Sequence, residues 1–81
     1  MKIFPNPNKG VFTIEIETTD KSPQSYDLGI YSLTGALVYS MPLDFQSKYS
    51  KQINIAGLSK GVYLLQLKSD DNILITRLII E

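Results

Sequence analysis

The segment VFTIEIET, residues 11–18, decides the fold class because its apolar side chains recur at every second position. Phe12, Ile14 and Ile16 alternate with threonine and glutamate. A period of two places successive side chains on opposite faces of an extended chain. The segment is therefore predicted to be a β-strand with one buried face and one solvated face.

The same pattern continues along the whole chain. Turn-forming residues interrupt the apolar segments about every eight to twelve positions, a spacing typical of an all-β sandwich. The predicted strands are residues 2–4, 11–18, 26–33, 36–41, 50–56, 61–69 and 73–80, and residues 42–49 are predicted to be a long polar connection. No helix is predicted. The predicted fold class is therefore an all-β sandwich of about seven antiparallel strands.

Two strands are predicted to form a hairpin through the loop at residues 33–35. A three-residue loop with Gly35 in the left-handed conformation, as in a type I turn with a G1 bulge, places Ile30 opposite Val38. A two-residue loop would instead place Ile30 opposite Tyr39. We favour the three-residue loop because glycine alone adopts that conformation without steric cost. It predicts an outer face bearing Tyr31, Leu37 and Tyr39, a candidate recognition patch.

The last predicted strand is apolar on both faces. One face has Ile73, Ile75 and Ile79, and the other has Leu74, Leu78 and Ile80. A two-layer sandwich buries only one face of each strand. We therefore hypothesise that this strand has a partner surface outside the domain, and that its free edge could also mediate self-association.

The composition excludes most enzyme classes. The 81 residues include no histidine and no cysteine, which excludes Ser/His and Cys/His nucleophile pairs and imidazole or thiolate zinc sites. Eight basic residues balance eight acidic ones, so no basic surface for nucleic acid is expected. The longest apolar runs, residues 36–39 and 62–65, are too short to span a membrane, and the opening residues contain no stretch suited to a signal peptide. We expect no catalytic residues, no cofactor and no metal.

Two acidic clusters have ordinary structural explanations. Glu15 and Glu17 lie two residues apart on the wet face of a strand, without the burial expected of a catalytic carboxylate pair. Asp70, Asp71 and Asn72 lack the spacing of an EF-hand and are residue types that tight turns use. We predict a solvated strand face and a tight turn, respectively.

Four motifs in order along the chain resemble one known family. These motifs are FPNPN at residues 4–8 with Gly10, IYSLTGALV at residues 30–38, LSKGVY at residues 58–63 and TRLII at residues 76–80. Together they resemble the C-terminal sorting domain of type IX secretion cargo. Two positions depart from the usual pattern, with Phe4 where tyrosine is common and Glu81 where a basic residue is frequent.

The resemblance implies an Ig-like sandwich and a role as a delivery signal. Residues 1–81 would form a single domain cut from a larger exported protein of the Bacteroidetes type, with the cargo domain N-terminal to it. The implied partners are the outer-membrane translocon and a sortase-like peptidase, and the implied location is the periplasm in transit and then the cell surface or medium.

Two sets of candidate site residues follow from the resemblance and the turn chemistry. Prolines fix φ and favour extended geometry before them, so the first strand should be short or at an edge. The residues expected to set the shape are Pro5, Asn6, Pro7, Gly10, Gly35, Gly61 and Tyr63. The residues expected to be read by the translocon are Lys68, Arg77, Leu78, Ile79, Ile80 and Glu81.

Two other functions stay open on the sequence. An adhesion or carbohydrate-binding module of Ig or fibronectin type would use Tyr31 and Tyr39 to bind a glycan. A structural spacer domain would bind neither a glycan nor a translocon.

Overall fold

The computed structural model describes residues 1–81 and consists of strands joined by turns. It contains seven strands, as predicted: β1 (Lys2–Phe4), β2 (Val11–Glu17), β3 (Gln24–Ser32), β4 (Leu37–Phe45), β5 (Lys48–Asn54), β6 (Gly61–Lys68) and β7 (Ile73–Ile80). No helix long and apolar enough to cross a membrane is present.

The strands form two antiparallel sheets packed face to face. One sheet has the strand order β1-β2-β5 and the other has the order β4-β3-β6-β7. The chain changes sheet after β2, after β4 and after β5, so neither sheet is a simple meander. This arrangement confirms the predicted all-β, Ig-like sandwich.

A single hydrophobic core lies between the inner faces of the sheets. It contains fourteen buried residues, which are Phe12, Ile14, Ile16, Leu28, Ile30, Leu43, Phe45, Ile53, Ile55, Tyr63, Leu65, Leu67, Leu78 and Ile80. Nearly all of them occupy alternate positions on their strands, since only every second side chain of a strand can reach the opposite sheet.

The prediction of a long polar connection at residues 42–49 is wrong. β4 extends through Pro42 to Phe45, and β5 begins at Lys48. Leu43 and Phe45 face the core at period two, which continues the strand pattern. Pro42 is tolerated because β4 is an edge strand, where a residue without an N–H leaves no gap in the interior of the sheet.

The predicted hairpin loop is present, but the predicted register beyond it is wrong. The Gly35 N–H donates to the Ser32 carbonyl, the Ser32 N–H donates to the Ala36 carbonyl, and Gly35 has φ +92°. Ile30 nevertheless lies opposite Tyr39 rather than Val38, while its neighbour Tyr31 lies opposite Leu37. The register shift leaves Val38 as an extra residue in β4, a β-bulge that turn chemistry does not reveal.

The bulge also corrects the predicted outer patch. Tyr39 lies opposite buried Ile30 and packs against the core, with its hydroxyl 3.4 Å from the Met41 sulfur. Tyr31 and Leu37 stay on the outer face. The three residues therefore do not form one exposed cluster.

Gly10 lies at a close approach between two backbone segments. Its φ is +103°, and a Cβ built on it would lie 2.5 Å from the Cα of Ala56. Its carbonyl accepts a hydrogen bond of 2.7 Å from the Ile55 N–H. No side chain fits here unless the backbone moves.

We predict that Gly10→Ala lowers the free energy of unfolding by at least about 2 kcal/mol, since it adds both backbone strain and overlap with Ala56. Chemical denaturation measures the loss. Gly57→Ala is the matched control, because nothing lies near its Cβ position and it should change stability by less than about 0.5 kcal/mol. Equal stability of both variants would contradict the proposed close approach.

Candidate recognition site at the C-terminal strand

The Pro-Asn-Pro motif near the N-terminus lies directly beside β7. The Asn6 side chain bridges two backbone groups of that strand, since its Nδ2 donates to the Arg77 carbonyl at 2.8 Å and its Oδ1 accepts from the Ile79 N–H at 3.0 Å. The amide group thus takes the place of a peptide unit in a neighbouring strand.

Asn8 continues this contact with its backbone. Its N–H donates to the Ile79 carbonyl at 3.0 Å, and its carbonyl accepts from the Glu81 N–H at 2.8 Å. These bonds make an isolated parallel bridge between Asn8 and Ile80. We call residues 6–8 the asparagine clasp, because they hold the end of β7.

The side chain of Asn8 fixes the clasp to the turn around it. The residue is only 4% exposed and is the one buried polar residue of the chain. Its Nδ2 donates to the Pro5 carbonyl at 2.9 Å, and its Oδ1 accepts from the Gly10 N–H at 2.8 Å. Pairing both side-chain groups removes the cost of burying an amide.

The clasp divides the free edge of β7 into a covered part and an open part. Backbone groups of alternate residues point to opposite sides of a strand. The bonds at Arg77, Ile79 and Glu81 show that the odd-numbered residues point away from β6. The N–H and C=O groups of Ile73 and Ile75 and the N–H of Arg77 therefore face solvent. We call residues 73–77 the open edge.

The open edge has two exposed isoleucines on the outer face of the four-stranded sheet, where Ile73 pairs with Lys68 and Ile75 pairs with Gln66. Ile73 is 55% exposed and Ile75 is 60% exposed. Leu37, Tyr31, Leu64 and Arg77 are successive cross-strand partners in one row across the sheet: Leu37 pairs with Tyr31, Tyr31 with Leu64 and Leu64 with Arg77. The outer face of the other sheet is more polar, since its positions on β2 and β5 are mostly Thr, Glu, Lys, Ser, Gln and Asn.

The structure separates the six residues predicted to be read by a translocon into two groups. Leu78 and Ile80 are core residues, 0% and 4% exposed, so a folded domain does not present them. Lys68, Arg77 and Glu81 are exposed, and Ile79 is partly exposed. Only these four can contribute to a recognition surface without unfolding.

The other predicted shape residues lie at separate places. Pro5 and Pro7 are exposed and flank Asn6, and both peptide bonds that precede them are cis. As expected for a segment followed by proline, β1 is only three residues long and lies at a sheet edge. Gly35 is in the exposed hairpin turn, and Gly61 begins β6 with φ +155°.

Tyr63 fixes the turn that precedes β6. The ring is 8% exposed, and the hydroxyl donates to the Ser59 carbonyl at 2.6 Å. A buried tyrosine that bonds to the backbone a few residues upstream is the tyrosine corner of Ig-like sandwiches. The ring thus stabilises the corner, and Leu78 of β7 lies beside it as its cross-strand partner.

The side chains of all Asp, Glu, Lys and Arg residues are exposed. Glu15 and Glu17 are exposed, and Glu17 lies 3.7 Å from Lys48 in a surface ion pair. Hydrogen bonds from the Ser22 hydroxyl and backbone lower the pKa of Asp20 below its ordinary 3.8. Burial, and secondarily Tyr39, raises the pKa of Tyr49 above 10.0.

The segment at residues 69–72 is a tight turn, as predicted. The Ser69 N–H donates to the Asn72 carbonyl, and the Asn72 N–H donates to the Ser69 hydroxyl. No group of acidic side chains with metal-binding geometry is present. Asp70 and Asp71 lie within this chain reversal, where turns commonly use such residue types.

Sequence analysis did not identify Asn8 as a site residue, although it makes more of the end-to-end contacts than either proline. Its spacing from Gly10 was the available signal, because an asparagine side chain often accepts a bond from the N–H two residues ahead. Its burial against β7 depends on contacts across the whole chain, and no local pattern indicates them.

We predict that Asn8→Ala lowers the free energy of unfolding by about 2 to 3 kcal/mol, since it leaves the buried Gly10 N–H without an acceptor. Asn6→Ala should cost about 1 kcal/mol and speed hydrogen exchange at the Ile79 amide, which loses its acceptor. Asn72→Ala is the control, because its side chain makes no hydrogen bond. Unchanged exchange at Ile79 in Asn6→Ala would contradict the bridge.

Comparison with known proteins agrees with this architecture. The family described as "Secretion system C-terminal sorting domain" matches residues 2–81, which is nearly the whole chain. No curated protein matches the sequence significantly. The family match confirms the resemblance seen in the four motifs. The chain therefore belongs to the C-terminal sorting domains of type IX secretion, a family of Bacteroidetes bacteria.

Proposed function

We propose that this domain directs an attached N-terminal cargo through the type IX outer-membrane translocon to the cell surface or the medium. The match of the sorting-domain family to residues 2–81 is the observation that supports this most strongly. Domains of this family are non-catalytic signals of exported proteins. The absence of histidine and cysteine agrees with a function based on binding.

The signal is a folded surface rather than a linear peptide. Asn6 forms hydrogen bonds with Arg77 and Ile79, which are more than 70 positions away in the sequence. The first and the last of the four motifs therefore meet at one place in the fold. A translocon component that binds there would contact both motifs only in the folded domain. This joint position explains why the turn residues and the last strand would be needed together.

The recognition surface consists of the exposed residues of β7 and its neighbours. Lys68, Arg77, Ile79 and Glu81 are accessible, and Ile73 and Ile75 add an apolar area beside them. Pairing with a strand of the translocon is possible along the open edge only, because the clasp already occupies the rest of β7. Side-chain contacts to the outer face can extend from there.

Processing would follow translocation. A sortase-like peptidase would then separate the domain from the cargo, and the cargo would stay at the cell surface or enter the medium. Before that step the domain would be in the periplasm, still attached to the cargo.

We predict that residues 1–81, fused to a reporter with its own export signal, carry the reporter to the surface or medium of a bacterium with a type IX system. A fusion lacking residues 73–81 should stay in the periplasm. Fractionation and immunoblotting measure both. Inactivating the translocon in the same host is the control. Equal retention of the complete and shortened fusions would refute the proposed function.

Two double variants test recognition of the domain surface separately from folding of the domain. We predict that Lys68→Ser combined with Arg77→Ser lowers export at least about tenfold, which corresponds to about 1.4 kcal/mol of binding, while the unfolding midpoint stays unchanged. Lys48→Ser combined with Lys51→Ser removes the same charge from the other sheet and should export normally. Equal export of the two double variants would show that the translocon recognises neither Lys68 nor Arg77.

A further inference from the structure

We propose that two copies of this domain associate through their open edges, with residues 73–77 of each chain paired antiparallel about a two-fold axis at Ile75. The two four-stranded sheets then become one continuous sheet. This inference does not depend on the proposed function, because it rests on the edge of β7 alone.

Residues 73–75 of the open edge lack the features that prevent pairing at the other three sheet edges. Proteins protect free edges with prolines, charged residues or very short strands. β4 contains Pro42 and Asp44, and β1 has only three residues. β5 has Lys51 at an inward-facing position, opposite buried Ile14. The clasp covers β7 from Arg77 onward, which leaves residues 73–75 with exposed isoleucines and unpaired backbone groups.

The backbone groups of the open edge complement those of a second copy. Ile75 points both its N–H and its C=O outward, so two copies can exchange a pair of hydrogen bonds at the axis. The Arg77 N–H of each chain then faces the Ile73 carbonyl of the other and adds two more bonds. The Asn6 side chain, which bonds to the Arg77 carbonyl, marks the end of the paired segment.

The side chains match in the same register. Ile75 lies against its own copy at the axis, and Ile73 lies against the stem of Arg77. Asp71, which precedes Ile73 by two residues, comes close to the Arg77 guanidinium of the other chain. Arg77 has no carboxylate partner within its own chain, whose one ion pair joins Lys48 and Glu17. The contact is small, so we expect a weak dimer with a Kd in the micromolar range.

Cysteine cross-linking tests the register, because the chain contains no native cysteine. Ile75→Cys should form a disulfide dimer rapidly under mild oxidation, since residues opposite each other at the axis lie about 5.5 Å apart between Cα atoms. Ile73→Cys has nearly the same exposure on the same face, but its two copies would lie about 13 Å apart, beyond disulfide reach. It should cross-link only when mixed with Arg77→Cys.

Equal cross-linking rates for Ile75→Cys and Ile73→Cys alone would overturn the register, as would the absence of any cross-link. Sedimentation velocity of the unmodified chain tests association itself. Ile75→Lys should weaken the dimer at least about tenfold. Leu37→Lys, at a similarly exposed position on the far edge of the same sheet, should not. A chain that stays monomeric at millimolar concentration, or an equal effect of both lysines, would refute the edge-paired dimer.

Discussion

The contact between the asparagine clasp and β7 is the interaction on which the rest of the structure depends. It joins residues more than 70 positions apart in an 81-residue chain, whose small core leaves little stability in reserve. Without it the end of β7 would keep only its pairing with β6, and the core would depend on a frayed strand for Leu78 and Ile80. The burial of Asn8 is tolerated because all its polar groups are paired.

This contact also determines what the domain can present to a partner. It covers the C-terminal half of an edge that would otherwise be a continuous template for strand addition. The remaining edge is short and has two exposed isoleucines, Ile73 and Ile75, on the outer face of the four-stranded sheet. A translocon component and a second copy of the chain would therefore compete for the same five residues. An edge-paired dimer would keep this surface covered until a stronger binding partner is present.

Most of the fold could be predicted from the sequence because each strand buries one face against a single core. The period-two pattern of β2 and β6 indicates both the strands and their inward residues, whereas β7 is apolar on both faces and its pattern indicates only a strand. The exceptions have specific causes. Pro42 breaks the local strand signal although an edge strand accepts it, and the bulge at Val38 reverses the face of Tyr39 without any distinctive residue type. Both depend on which strand is a neighbour, and this information is absent from a local pattern.

The candidate site was likewise predictable from the sequence only in part. By itself the sequence determined the class of fold, the positions of the turns, the apolar nature of both faces of β7 and the family resemblance, because these depend on residue types at short spacing. The tertiary structure alone decided that Asn6 and Asn8 bind β7, that Leu78 and Ile80 are withheld from the surface and that only residues 73–77 stay open. These properties depend on contacts between the two ends of the chain, which come together only when both sheets have closed over the core.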